Sequence, residues 1–244
     1  MATARFLFHG DLNAFLSRER RGAAFPVDCA RAATLKHAIE ALGVPHGEIM
    51  RLTVNEAPAT LSRIVREGDV IEVFPMEGGG MAEVPLFFAD AHLGGLARLL
   101  RMLGFDTAYD PPLRDRDILV VLRDERRLLL SRDRELLKCR DVLQGCYVRA
   151  LEPEAQLREV VARYALEPHM RPFTRCLACN LPLSAIDRSA AAARVPERIA
   201  RTYDTFVHCP GCDRIYWKGS HWMRMRVMLG KVLEAADAIS RGEL

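Results

Sequence analysis

Residues Pro85 to Asp106 read PLFFADAHLGGLARLLRMLGFD, and this stretch decides the fold. Leu86 to Ala89 is an apolar run too short for a helix and bounded by Pro85, so it reads as a buried strand. The run stops at Asp90. From there Leu93, Leu96, Leu100 and Leu103 recur at helical spacing, and Gly104 stands where a helix-ending glycine belongs. A carboxylate therefore lies at the C-terminal end of a strand, just ahead of a helix. In open α/β sheets ligands bind at those strand ends. Asp90 equally suits a helix cap, and the stretch alone leaves both roles open.

The same grammar continues downstream. Thr107–Asp110 is a short strand candidate, and Pro111-Pro112 breaks the chain. Ile118–Leu122 can open a helix from about Asp117 to Glu125 or pair with Leu128–Leu130 as a hairpin. The helix is preferred because strand–helix alternation suits a βαβ unit. The apolar run ending at Leu130 leads into Ser131-Arg132-Asp133, and a helix follows. Cys146–Ala150 is a further strand, and Glu154–Tyr164 is an amphipathic helix. Residues 84–172 thus form an α/β domain with a parallel-sheet core.

Upstream, residues 1–77 read as a separate module. Ala4–Phe8, Phe25–Cys29, Arg51–Val54 and Asp69–Phe74 are strand-like, and Thr34–Leu42 is a helix closed by Gly43. That order suggests a β-grasp, ubiquitin-like fold. Residues 78–83 with Gly78-Gly79-Gly80 read as a linker. The VIEVFPMEGGG ending also looks like the tail of sulfur-carrier proteins. That chemistry needs a terminal carboxylate, which here requires cleavage after Gly79 or Gly80.

The 244 residues are half hydrophobic and about a quarter charged, as in a soluble globular protein. No apolar run reaches the roughly 18 residues of a membrane span, and no signal peptide is evident, so a cytoplasmic location is expected. Net charge is +3, unevenly placed: residues 173–244 carry 11 basic against 7 acidic side chains, the rest nearly balancing. This permits a polyanionic partner.

Of seven cysteines, four form CxxC pairs, Cys176/Cys179 and Cys209/Cys212. In a reducing compartment such pairs bind metal more readily than they build disulfides. Four thiolates from two knuckles give the tetrahedral, coordinatively closed geometry of structural Zn²⁺, so residues 173–244 read as a zinc ribbon followed by a helix over 227–239. Cys29, Cys139 and Cys146 read as core residues.

Asp90 and Asp133 each follow an apolar strand, and Asp117 stands near a helix start. Three carboxylates on one rim would hold Mg²⁺ or Mn²⁺ through oxygen, and such an ion polarises a phosphodiester and activates water. Arg98, Arg101 and Arg132 lie near these acids in sequence. Beyond the second knuckle, RIYWKGSHWMRMR interleaves Arg214, Lys218, His221 and Arg224 with Tyr216, Trp217 and Trp222. Basic residues neutralise phosphates and aromatic rings stack unpaired bases; the tryptophans equally suit the core of a small ribbon.

Together FFADAHLGGLARLLRMLGFDTAYD, RDRDIL, LLLSRDRELL, FTRCLACNLPL and CPGCDRIYWKGSHWMRM resemble the Mut-seven C-terminal ribonuclease domain family. ALGVPHGEI and GDVIEVFPM resemble the ubiquitin-like domain often fused before it. The resemblance implies a PIN-like nuclease core plus zinc ribbon, with Asp90, Asp117 and Asp133 as the catalytic acids and Ser131 standing for the family's threonine. It implies metal-dependent RNA cleavage. A non-catalytic RNA-binding adaptor, and a protein partner for the ubiquitin-like module, are the other expectations to weigh.

Overall fold

The computed structural model of the protein describes residues 1–75 and 83–240. Gly78–Gly80, the heart of the expected linker, lie outside the described residues. In chain order the strands and α-helices are β1 (Ala2–Phe8), β2 (Phe25–Cys29), α1 (Leu35–Ala41), β3 (Ile49–Val54), β4 (Ala57–Ala59), β5 (Val70–Pro75), β6 (Phe87–Ala89), α2 (Gly94–Met102) and β7 (Thr107–Ala108). They continue with α3 (Asp115–Glu125), β8 (Leu128–Ser131), α4 (Arg134–Leu137), β9 (Gly145–Tyr147), α5 (Pro153–Tyr164), β10 (Ser184–Ile186), α6 (Arg188–Ala192), α7 (Glu197–Thr202), β11 (Phe206–His208), β12 (Ile215–Trp217) and α8 (Ser220–Ser240). No helix among the described residues is long and apolar enough to cross a membrane.

The chain divides into two compact units, Met1–Gly80 with Pro112–Tyr147, and Met81–Pro111 with Val148–Leu244. Residues expected in one domain over 84–172 therefore contribute to both.

In the first unit, five strands run in the order β2-β1-β5-β3-β4. β1 and β5 are parallel and the other neighbours antiparallel, the β-grasp arrangement that the strand and helix order implies. Thr34 caps α1 by accepting the His37 N–H at 3.3 Å, a satisfied orphan donor of the kind that starts helices. Leu35, Ala38 and Ile39 turn inward onto Phe6, Phe8, Ile71 and Val73 of the sheet. β3 and β4 are joined by Asn55 and Glu56, both with left-handed φ (51° and 68°). Two such residues form the tight hairpin turn whose twist matches the strands.

The same unit holds α3, β8, α4 and β9, with β8 and β9 parallel. α3 is a helix, as preferred over a hairpin: acidic Asp115 and Asp117 sit in its first turn, where the helix dipole favours them. Ile118 and Leu122 face inward. The β-grasp core continues onto β9, because Tyr147 packs against it.

In the second unit, β6 and β7 pair in parallel. α2 lies on both strands and against α5, and α5 packs on α8. The leucine spacing explains α2, since Leu96 and Leu100 are wholly buried. Three antiparallel strands, β10-β11-β12, build the ribbon. α8 begins at Ser220, two turns before the expected start at 227. Both units are thus parallel-strand α/β structures, one carrying the β-grasp sheet and the other the ribbon.

Candidate metal centre and acidic residues

The four paired cysteines converge. All four Sγ atoms lie within 4.8 Å of one another, and among the described residues this is the one such group of three or more His, Cys, Asp or Glu. Cys176 and Cys212 Sγ are 3.5 Å apart, and Cys179 and Cys209 Sγ are 3.1 Å apart. Sulfurs around a tetrahedral zinc with Zn–S of about 2.3 Å stand about 3.8 Å apart, so the donor set fits that ion.

Local backbone chemistry shapes each knuckle in the same way. The Cys176 N–H donates to Leu181 O at 2.8 Å, and the Cys209 N–H to Arg214 O at 2.9 Å. The Asn180 and Asp213 N–H groups return to Cys176 O and Cys209 O at 3.0 and 2.9 Å. Asn180 and Asp213, the residues just after each pair, both adopt left-handed φ (69° and 60°). Asn and Asp tolerate that region better than other residues with a side chain.

The thiols are electrostatically unequal. Burial opposes ionisation of Cys176, but hydrogen bonds from the Tyr216 hydroxyl, the Cys179 and Ala178 amides and Cys212 outweigh it and bring the thiol down to about 6. The Tyr216 hydroxyl stands 3.1 Å from Cys176 Sγ. Cys179 is pushed up to about 12 by desolvation and by its sulfur neighbour Cys209. Four thiolates this close repel one another unless a cation neutralises them.

Arg101 locks the first knuckle to α2 and β7. Expected among the basic residues that neutralise phosphates, it is instead only 5% exposed. Its Nε donates to Thr107 O at 2.9 Å, and its Nη1 to Ala178 O at 2.9 Å and Leu177 O at 3.2 Å. Burial lowers its pKa, while the Cys176 and Cys179 sulfurs and Asp106 hold it up. Asn180 completes the joint: its Nδ2 donates to Asp106 at 2.8 Å and its Oδ1 accepts the Thr107 N–H at 3.0 Å. The ribbon covers that face of α2, which leucine periodicity cannot foresee.

The three expected acids occupy defined positions. Asp90 directly follows β6, is 8% exposed, and accepts the Ala91 N–H at 2.6 Å as the cap of a 3-10 turn. It belongs to the second unit, whereas Asp117 and Asp133 belong to the first. Asp117 is half-exposed, 3.6 Å from Arg116. Asp133 caps α4, accepting the Glu135 and Leu136 N–H groups at 2.8 and 3.2 Å. Its own N–H donates to the Ser131 hydroxyl at 2.9 Å, so the hydroxyl at that position holds the turn. Beside α4, burial raises the Cys139 thiol, and Asp115, Asp133, Asp141 and Glu135 add to the rise. Asp141, in a polar loop without periodicity, carries no sequence signal.

Of the expected phosphate ligands, Arg98, Arg214, Lys218, His221 and Arg224 are exposed and Arg132 is partly buried. Arg98 and His221 line one groove of the second unit, which α2, α5 and α8 enclose. Lys218 and His221 line a cavity of the ribbon. His221 and Arg224 belong to α8 rather than to a ribbon loop.

Two family models match most of the chain. The model of the Mut7-C RNAse domain matches residues 85–229, and that of the Mut7-C ubiquitin domain matches residues 1–79. No curated protein matches the chain. Among solved structures, small archaeal modifier protein 1 of H. volcanii matches at 22% identity and a TM-score of 0.26, covering 31% of this chain and 98% of its own.

Proposed function

Because the chain belongs to the family of the Mut7-C RNAse domain, we propose that it is a metal-dependent ribonuclease that hydrolyses RNA phosphodiester bonds. The family match over residues 85–229 is the observation that carries this reading. In it, Asp90, Asp117 and Asp133 supply the carboxylates. Their oxygen donors suit Mg²⁺ or Mn²⁺, an ion that in such sites lowers the pKa of attacking water and offsets charge on the phosphoryl oxygens.

The chain's own residues then hold and orient. Asp90 is fixed at the end of a buried strand by the Ala91 amide. Asp133 is fixed by two helix N–H groups and by the Ser131 turn. Arg98, Arg132 and the exposed cations of the ribbon and α8 hold phosphates. Zn²⁺ on the four cysteines is structural, because four protein ligands leave no position open.

A second reading is a non-catalytic RNA-binding adaptor. The capping bonds of Asp90 and Asp133 favour it, since they give both acids a structural role. Incubating the purified chain with single-stranded RNA, with and without divalent ions, separates the two: cleavage only with the ion supports the nuclease, and binding without cleavage under any ion supports the adaptor. A protein partner for the ubiquitin-like module is compatible with either reading.

A further inference from the structure

The zinc ribbon contains a cavity of about 380 Å³, within the roughly 300–1,000 Å³ range of small-ligand pockets. Tyr203, Tyr216, Trp217 and Trp222 line it, as do Arg198 and Lys218, and no acidic residue does. We propose that this cavity binds an unpaired base of single-stranded RNA, stacked on the tryptophan rings, with the adjoining phosphate held by Lys218 and Arg198. The proposal rests on the RNA reading above and names how that RNA is gripped.

Three observations support it. First, the cavity's aromatic and cationic make-up matches a nucleotide, which offers a flat π-face and an anion. Trp222 is already dressed in this way: Lys218 Nζ lies 5.6 Å and the Arg226 guanidinium 5.7 Å from its ring centroid. Second, Arg198 and Lys218 are exposed and form no ion pair among the described residues, so their charge is available to a phosphate. Third, the rings are held in place. Trp222 packs on Phe173 at 5.1 Å between centroids. Gly219 passes beneath Trp217 so closely that a Cβ there would meet indole Nε1 at 2.7 Å. Tyr216 joins the cavity to the metal centre through its bond to Cys176. A paired base has its faces covered by its neighbours in the stack, so the ligand is single-stranded.

The chain's two tryptophans, Trp217 and Trp222, both line the cavity, so intrinsic fluorescence reports on it directly. The full chain, zinc-loaded and free of other divalent ions, is titrated with a labelled single-stranded hexaadenylate. Anisotropy of the label reads binding and tryptophan emission reads stacking. Inorganic polyphosphate and an RNA duplex serve as controls. The expected result is quenching by hexaadenylate and none by polyphosphate or duplex. Trp217→Ala weakens binding at least about 5-fold, Trp217→Phe restores most of it, and Lys218→Ala with Arg198→Ala lowers its salt dependence. Hexaadenylate that binds without quenching, or polyphosphate that quenches equally, overturns the pocket and leaves the RNA reading standing. No binding of hexaadenylate overturns the pocket, and the metal-dependent nuclease reading then stands or falls on the cleavage assay with divalent ions. Quenching that persists in Asp90→Asn, whatever becomes of cleavage, supports the pocket.

Discussion

The wholly buried carboxylate of Glu48 accepts the backbone N–H of Tyr147, 99 residues away. Glu48 ends the His46–Glu48 turn of the β-grasp module, and Tyr147 ends β9 of the segment expected in the nuclease core. The surroundings reinforce the bond. Phe15 meets Tyr147 edge-on at 5.5 Å, and Arg134 lies 5.1 Å from both ring centroids. A Cβ at Gly47 would fall 2.9 Å from Gly145 N, so only glycine allows this approach of two backbones. The module is therefore a packed part of the first unit.

Glu48→Ala leaves a buried amide without its acceptor. A buried donor left without its acceptor costs about 1–3 kcal/mol, and chemical denaturation should show a loss of that size. Gly47→Val should be at least as damaging, with the β-grasp and β9 signals lost in one transition. An unchanged midpoint for both variants would contradict the joint.

Stability should also depend on pH through His46. Burial lowers its pKa, the Lys36 ammonium lowers it further, and Glu40, 2.7 Å away, opposes both. With the folded value below the ordinary 6.5 or so, the neutral ring is the one the fold accepts. Its contribution is fully present above about pH 6.5 and is lost as pH falls toward the folded value. The melting temperature should therefore decline between pH 7 and 5, and His46→Gln should flatten that decline.

The metal centre makes a sharper demand. Native mass spectrometry should find one zinc per chain, and chelation should unfold the ribbon, because metal affinity of this kind is folding free energy. Tyr216→Phe removes the hydroxyl beside Cys176 Sγ. Outer-shell losses typically cost 10- to 100-fold in affinity, and competition with a chromogenic chelator should read a weakening of that order.

Ser131 tests the turn that presents Asp133. Ser131→Thr keeps the hydroxyl that accepts the Asp133 amide and should leave stability nearly unchanged. Ser131→Ala leaves that amide without its acceptor and should cost about 1–3 kcal/mol, with RNA cleavage reduced as Asp133 loosens.

Much of this was legible in the residues, for reasons that are local. The run to Asp90, the leucine spacing of α2 and the CxxC pairs are each specified by neighbours in sequence. Ala57-Pro58-Ala59 has no strand character of its own, and β4 is a strand only through its pairing with β3. α8 starts earlier than 227 because Trp222, Met225 and Leu229 already repeat at helical spacing, a pattern that Arg224 and Arg226 obscure in the sequence. Arg101 and Glu48 were illegible for a deeper reason. Each is a charged residue buried by a segment tens of residues away, and no periodicity records what covers a face. The placement of Asp90 in one unit and of Asp117 and Asp133 in the other is likewise a tertiary property.

The most direct test of the nuclease reading is cleavage of a single-stranded RNA by the zinc-loaded chain and by Asp90→Asn, in Mn²⁺ or Mg²⁺ and in chelator weak enough to spare the zinc. Asparagine keeps the oxygen that accepts the Ala91 amide, so folding should survive and circular dichroism should overlay. The nuclease account predicts divalent-dependent cleavage by the parent chain and a loss of at least about 100-fold in the variant. Equal cleavage by both proteins, or none by the parent under any divalent ion, would contradict it.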